Sequence, residues 1–180
     1  MQITYKITPD DFVGFNLSYM NNSKQMRASI RSTQIIAAVL TLAIGALLMF
    51  LKHKFSPLWA AVYVALAVVF FAFSPWLMRR RVKKSIYRTL SLPQNQHVCS
   101  EKTLALEEGG MHLTGGGEDS LHPYETIEHI DEDDARYYIY VGPMSAVIVP
   151  FAAFGSGEDK AAFYTALCGY VERAGGKVKV

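Results

Sequence analysis

Between Ser32 and Met78 the mixture of polar and apolar positions gives way to two apolar runs. Residues 32–51 and 55–78 carry no charged side chain, and the basic break Lys52-His53-Lys54 separates them. The runs hold 20 and 24 residues, which at about 1.5 Å per residue is enough to cross a hydrocarbon layer of about 30 Å. A helix on a globular surface keeps a polar face, and neither run has one. Spanning length without such a face is what a bilayer requires, so the pattern predicts a transmembrane helical hairpin. Ala37, Ala38, Ala43, Gly45 and Ala46 in the first run and Ala60, Ala61, Ala65 and Ala67 in the second suit close backbone approach within it. Trp59, Tyr63 and Trp76 suit the interfacial aromatic belts, and Pro75 is a candidate kink.

Outside these runs shorter periods return. Ile3, Tyr5 and Ile7 alternate with Thr4 and Lys6, the pattern of a half-buried strand. Thr8 as N-cap, Pro9 at the first helical position and Asp10-Asp11 in the first turn predict a short helix to about Tyr19, broken by Asn21-Asn22-Ser23. Phe12, Val13, Phe15, Leu17, Tyr19 and Met20 nearly encircle that helix, which places it between the membrane surface and a soluble domain. From Lys24 a helical pattern runs into the first span. After Met78, Val82, Ile86 and Leu90 recur every four residues and extend the second helix until Leu92-Pro93 stops it.

Beyond Pro93 the chain reads as strands over 102–106, 111–114, 120–122, 126–131, 137–141 and 146–149, with glycine turns at Glu107–Gly110 and Gly115–Gly117. Ser156, with Asp159 three residues on, caps a final helix. That helix carries Phe163, Leu167, Tyr170 and Ala174 on one face and ends at Gly175-Gly176. Antiparallel strands closed by one C-terminal helix are the pattern of a pleckstrin-homology-like domain. The predicted class is an α+β membrane protein, divided into an N-terminal strand and helix (1–23), the hairpin with its extensions (24–92), the strand domain (93–176) and a tail (177–180).

Charge adds orientation. Residues 1–88 hold twelve of the eighteen Lys and Arg and only two acids, whereas residues 89–180 hold six basic and fourteen acidic residues. An acidic strand domain argues against nucleic-acid binding, which needs a basic surface. Lys24, Arg27 and Arg31 precede the first span, and Arg79, Arg80, Arg81, Lys83, Lys84 and Arg88 follow the second. The excess of cations at the outer ends predicts both termini on the cytoplasmic side of the membrane in a multi-pass protein. The same six cations after Met78 are the candidate contacts with the membrane surface. Cys99 and Cys168 then fall in a reducing compartment as free thiols. A cleavable signal does not fit a first span that begins more than thirty residues in.

Candidate chemistry is sparse. His97, His112, His122 and His129 with Glu125 lack the spacing of a metal signature. Asp131-Glu132-Asp133-Asp134 lacks the spaced ligands and glycine of a calcium loop and sits where a hairpin turns, as a solvated tip that protects an edge. Gly115-Gly116-Gly117 precedes no Lys-Ser or Lys-Thr pair, so it is no phosphate loop. Gly155-Ser156-Gly157 reads as a helix cap rather than an activated serine, and Cys168 as a core thiol. No nucleophile, base and orienter assemble, which argues against an enzyme and implies no cofactor. The strand loops Glu107–Gly110 and Gly115–Asp119 are acidic and would repel a phosphoinositide.

The order of elements, together with Thr8-Pro9-Asp10-Asp11-Phe12, Tyr124-Glu-Thr-Ile127 and Val149-Pro150-Phe-Ala-Ala-Phe154, resembles the YcxB-like bacterial membrane proteins. The resemblance implies a cytoplasmic domain similar to bacterial pleckstrin-homology domains, in a bacterial cytoplasmic membrane. It supplies no catalytic residues. Phe151 stands after Pro150 where members of that family often place a basic residue. The expected function is a membrane-anchored interaction module. Its partners are lipids through the hairpin and a protein or a second copy through the strand domain. The alternative is an oligomeric transport or permeation component, although two uncharged spans supply no ion pathway of their own.

Overall fold

The computed structural model describes residues 1–51, 56–143 and 145–175, apart from the side chains of Gln25 and Gln96. The break Lys52-His53-Lys54, Gly176 and the tail 177–180 lie outside the described residues. The chain forms two compact units, a strand unit of Met1–Asn16 with Ser85–Val180 and a helical unit of Leu17–Lys84.

The first strand joins a sheet whose other strands come from the far side of the apolar helices. β1 (Gln2–Lys6) does not stand apart with the helix that follows it. It pairs antiparallel with β2 (Glu101–Glu107), Ile3 opposite Leu104 and Tyr5 opposite Lys102. β2 pairs with β3 (Gly110–Gly115), and β3 with β4 (Glu118–His122), giving a four-stranded sheet in the order β1-β2-β3-β4. Residues 1–16 therefore open the strand unit, and the apolar helices are an insertion between its first two strands. Local periodicity marks β1 as a strand but carries no information about a partner about a hundred residues away.

A second sheet holds β5 (His129–Glu132), β6 (Arg136–Gly142) and β7 (Ser145–Pro150) in that order. The predicted strand over 126–131 begins later, because Tyr124–Thr126 forms a 3-10 turn in which the Thr126 hydroxyl donates to the Pro123 carbonyl at 2.7 Å. The β3–β4 hairpin turns on Gly116 and Gly117, whose φ values of +63° and +82° disfavour residues with a Cβ.

Two helices cover β6, whose residues Tyr137 to Tyr140 are all buried. Alternate residues of a strand face opposite sides. Tyr137 stacks on Tyr164 of α4 (Gly157–Arg173) with ring centroids 5.4 Å apart, while Tyr138 and Tyr140 meet Phe15 of α1 (Pro9–Asn22) at 5.8 and 5.9 Å. The cap of α4 is as the sequence predicts, with Asp159 N–H donating to the Ser156 hydroxyl at 3.1 Å. Its buried face is Phe163, Leu167 and Val171, spaced by four. Tyr170 lies beside that row and stacks on Tyr124 at 4.9 Å.

α1 is fastened by charge. Asp11 accepts the Thr8 N–H and hydroxyl, each at 2.7 Å, through Oδ2, and accepts Arg136 Nε at 2.6 Å through Oδ1. Arg136 also donates to Asp133 at 3.1 Å, and the Tyr138 hydroxyl donates to the same carboxylate at 2.6 Å. Asp133 is thus part of an internal network rather than of a solvated tip. Burial pushes its carboxyl up, but the Tyr138 hydroxyl, the Ala135 N–H and Arg136 together hold it below the usual carboxylate range. Gly14 permits the close fit, since a Cβ there would meet Arg136 Nη1 at 2.6 Å and the Tyr138 oxygen at 2.7 Å.

In the helical unit, α2 (Lys24–Leu51) runs unbroken and α3 (Pro57–Leu90) continues through Pro75. Both are long and apolar enough to cross a membrane, and only 11% and 6% of their most apolar windows are buried within the protein. Core helices of a soluble protein would be mostly covered. Gly45 packs on the Tyr63 ring, which a Cβ would approach to 2.6 Å, and Ala67 is buried. The small residues thus let two backbones approach, as their distribution predicts.

Arg136→Leu leaves Asp11 charged, buried and without its guanidinium. The substitution is expected to destabilise the strand unit by about 3 kcal/mol, read as a lowered denaturant midpoint of the full chain in nanodiscs. A loss well below about 1 kcal/mol would show that the network contributes no more than a surface pair.

Candidate functional site

The acidic strand unit presents one face built by side chains far apart in sequence. β5 is an edge strand with β6 as its neighbour, and α4 lies alongside. Between them runs a groove of about 710 Å³ lined by Ile130, Glu132, Tyr137, Lys160, Ala161 and Tyr164, among others. Its polar and aromatic parts are organised around Lys160, whose ammonium sits 3.5 Å from the Phe151 ring centroid, 5.0 Å from that of Tyr137 and 3.7 Å from a Glu132 oxygen. A cation over an aromatic face is held by the ring quadrupole, and Glu132 adds a charge partner. Burial, then Glu132, pushes the Tyr137 hydroxyl up to about 12, so the phenol stays neutral. Phe151, which stands in place of an expected basic residue, acts here as a platform for the Lys160 cation.

The six cations expected at a membrane surface lie on α3. Arg79, Arg80, Arg81, Lys83, Lys84 and Arg88 are all exposed. Arg80 stands over the Trp76 ring at 4.9 Å, an aromatic–cation pair that places the two side chains at the same end of the apolar run.

The histidines do not converge. His112 lies 2.7 Å from Asp119 and 3.5 Å from Glu107, His122 lies 3.2 Å from the Ser120 hydroxyl, and His129 stacks on Tyr140 at 4.1 Å. His97 is exposed in the 3-10 helix Pro93–Cys99, and Glu125 is exposed in the turn before β5. Among the described residues no three His, Cys, Asp or Glu side chains gather to hold a metal ion. Cys99 and Cys168 are free thiols, and burial raises the pKa of Cys99, which disfavours its thiolate.

The sequence reading did not single out the β5–α4 groove. One signal was available: Tyr137-Tyr138-Ile139-Tyr140 is a short run without polar alternation, the pattern of a strand covered on both faces. Two covers require two packing elements, and the rim where one of them meets an edge strand is a groove.

Residues 106–167 match a known protein family, the YcxB-like proteins. Over that stretch the chain is similar to the YcxB-like proteins. The match bears out the resemblance drawn from sequence over Leu106 in β2 to Leu167 in α4, which includes Tyr124–Ile127, Val149–Phe154 and the whole groove lining; Thr8–Phe12 and the apolar runs lie outside it. The curated proteins contain no match, nor do the solved structures.

His112 provides a pH-dependent reading of this unit. Its hydrogen bond to Asp119, with Glu107 nearby, raises its pKa above the ordinary imidazole value. A raised folded pKa gives stability that is fully present below the unfolded pKa and lost as pH rises through the folded one. Wild-type protein is expected to lose a small increment of stability over that window, and His112→Gln to lose the increment at low pH. Identical pH profiles for the two proteins would rule the linkage out.

Proposed function

We propose that this chain is a non-enzymatic, membrane-anchored interaction module whose strand unit is a cytoplasmic pleckstrin-homology-like domain. The observation that carries the reading is the groove between the edge strand β5 and α4. An edge strand offers backbone N–H and C=O groups to an added strand, while an adjacent groove takes that strand's alternate side chains. Tyr164 and Ala161 supply apolar area, and Lys160 and Glu132 supply polar fixing. The order of four strands, three strands and a helix supports the fold assignment.

Anchoring rests on the insertion. α2 and α3 expose large side chains such as Phe50 (73%), Leu58 (72%) and Phe73 (63%) along their length, a surface that water would penalise and lipid accepts. In this reading Arg79 to Arg88 meet anionic headgroups at the cytoplasmic face, each contributing about 1 kcal/mol near the surface, and both termini are cytoplasmic. The partner of the strand unit is a protein or a second copy.

In-cell crosslinking through single cysteines at Thr165 and Ala161, in a background without Cys99 and Cys168, tests the reading. A reproducible adduct from both groove positions, weakened by Tyr164→Ala and absent from a cysteine at Asp119, is the expected result. Crosslinking that is equal at Asp119 and in the groove would sink it.

A further inference from the structure

The inner face of the four-stranded sheet breaks its own pattern at one end. Residues opposite one another across a ladder share a face, and the register puts Tyr5, Lys102, Gly115 and Glu118 in one row across β1, β2, β3 and β4. The neighbouring row, Ile3, Leu104, Leu113 and Ser120, belongs to the core side, since Leu104 and Leu113 are buried. Core-facing positions ought to be apolar, yet the mostly buried Lys102 occupies one of them, and the exposed Glu118 of β4 meets it at the rim. Gly115 contributes no side chain between them, and the Lys102 ammonium bonds the Glu118 carboxylate across that gap. Along β4 the Ser120 hydroxyl lies 3.4 Å from Glu118 Oε1 and 3.2 Å from His122 Nε2, which extends the polar wall.

This wall borders a cavity of about 470 Å³ whose other sides include Ile7, Phe12, Val147 and Ile148. Tyr5 lines it as well. The residue is 94% buried, and its hydroxyl has no hydrogen-bond partner among the described residues. A buried hydroxyl left unpaired costs about 1–3 kcal/mol, and such an orphan beside a cavity is satisfied when a ligand fills it. The volume is in the range of small-molecule sites.

We infer that this cavity binds a small zwitterion with an apolar body, the class of a free α-amino acid with an aliphatic side chain. The assignment follows from charge and shape. Lys102 and Glu118 give the wall a cation and an anion with no net charge, so a ligand with one charge of each sign matches both ends without leaving an unpaired charge in the site. The ligand carboxylate sits by Lys102 and the Tyr5 hydroxyl, the ligand ammonium by Glu118, and the aliphatic part against Phe12 and Val147. The apolar side of the cavity selects such a molecule over a zwitterionic lipid headgroup, which brings only polar surface. This inference goes beyond the interaction reading and does not depend on the groove at β5.

Equilibrium dialysis of radiolabelled leucine against the full chain in nanodiscs, with empty nanodiscs subtracted, tests it. Saturable binding is expected, weakened about tenfold by Tyr5→Phe and by Lys102→Met. N-acetyl-leucine, which lacks the cation, and leucinamide, which lacks the anion, should each compete about tenfold less well than leucine. Tyr5→Phe keeps the ring and removes an unpartnered hydroxyl, so its unfolding midpoint should equal or exceed the wild type, separating a binding role from a structural one. No saturable leucine binding, equal competition by N-acetyl-leucine, or stronger competition by glycerophosphoethanolamine would each overturn the assignment. Groove crosslinking is unaffected by any of these outcomes.

Discussion

Thr4 and Thr103 stand opposite one another, hydroxyls 3.0 Å apart, across 99 residues of sequence. This ladder between β1 and β2 closes the longest loop in the molecule, and the loop is the segment that carries both apolar helices. Closing a flexible loop of that length costs free energy that grows only slowly with its size, and two rigid helices order much of the intervening chain. The rest of the strand unit depends on the closure. Without β1 the sheet loses an edge, Tyr5 and Ile7 leave the core, and α1, which follows β1 directly, loses its position on β6. The inserted segment also leaves and returns to the same unit, which is the connectivity that a membrane hairpin with both termini on one side would need.

β6 is the second organising element. Its tyrosines are too large and too numerous for one face, and the strand uses both. Tyr137 and its aromatic neighbours Phe151, Phe154 and Tyr164 form the contact with α4, while Tyr138 and Tyr140 receive Phe15 of α1. Arg136 begins the strand and fixes α1 through Asp11. A buried ion pair is weak evidence of net stability, but it is specific in geometry. Here it determines which face of α1 meets the sheet. The groove and the cavity follow from this arrangement: one lies where α4 meets an edge strand, the other where the four-stranded sheet turns Lys102 inward.

The polar row Lys102, Gly115 and Glu118 illustrates a local rule broken at a place where no packing advantage results. A core would be better served by an apolar residue in place of Lys102. The glycine is needed there on conformational grounds as well, since its φ of +117° lies in the region that side chains disfavour, and a Cβ would strike the Glu101 carbonyl. One residue therefore shapes the turn and leaves room for an ion pair across three strands.

The amino-acid sequence by itself determined the elements that depend on local chemistry. Apolar length marked α2 and α3, Thr8-Pro9-Asp10-Asp11 opened α1, the glycine pairs placed the hairpin turns, and Ser156 with Asp159 capped α4. Tertiary structure alone decided which elements share a sheet. Strand pairing is non-local, so nothing in Gln2–Lys6 points to Glu101–Glu107, and nothing in Asp133 announces Arg136 and Tyr138 as its partners rather than water. Tyr170 and Val171 were indistinguishable by periodicity within the tolerance of a helical face, and only the position of Tyr124 sends one to a stacking contact and the other into the core. The inward turn of Lys102 likewise needs the register, because a strand's two faces become inside and outside only when a second sheet covers one of them.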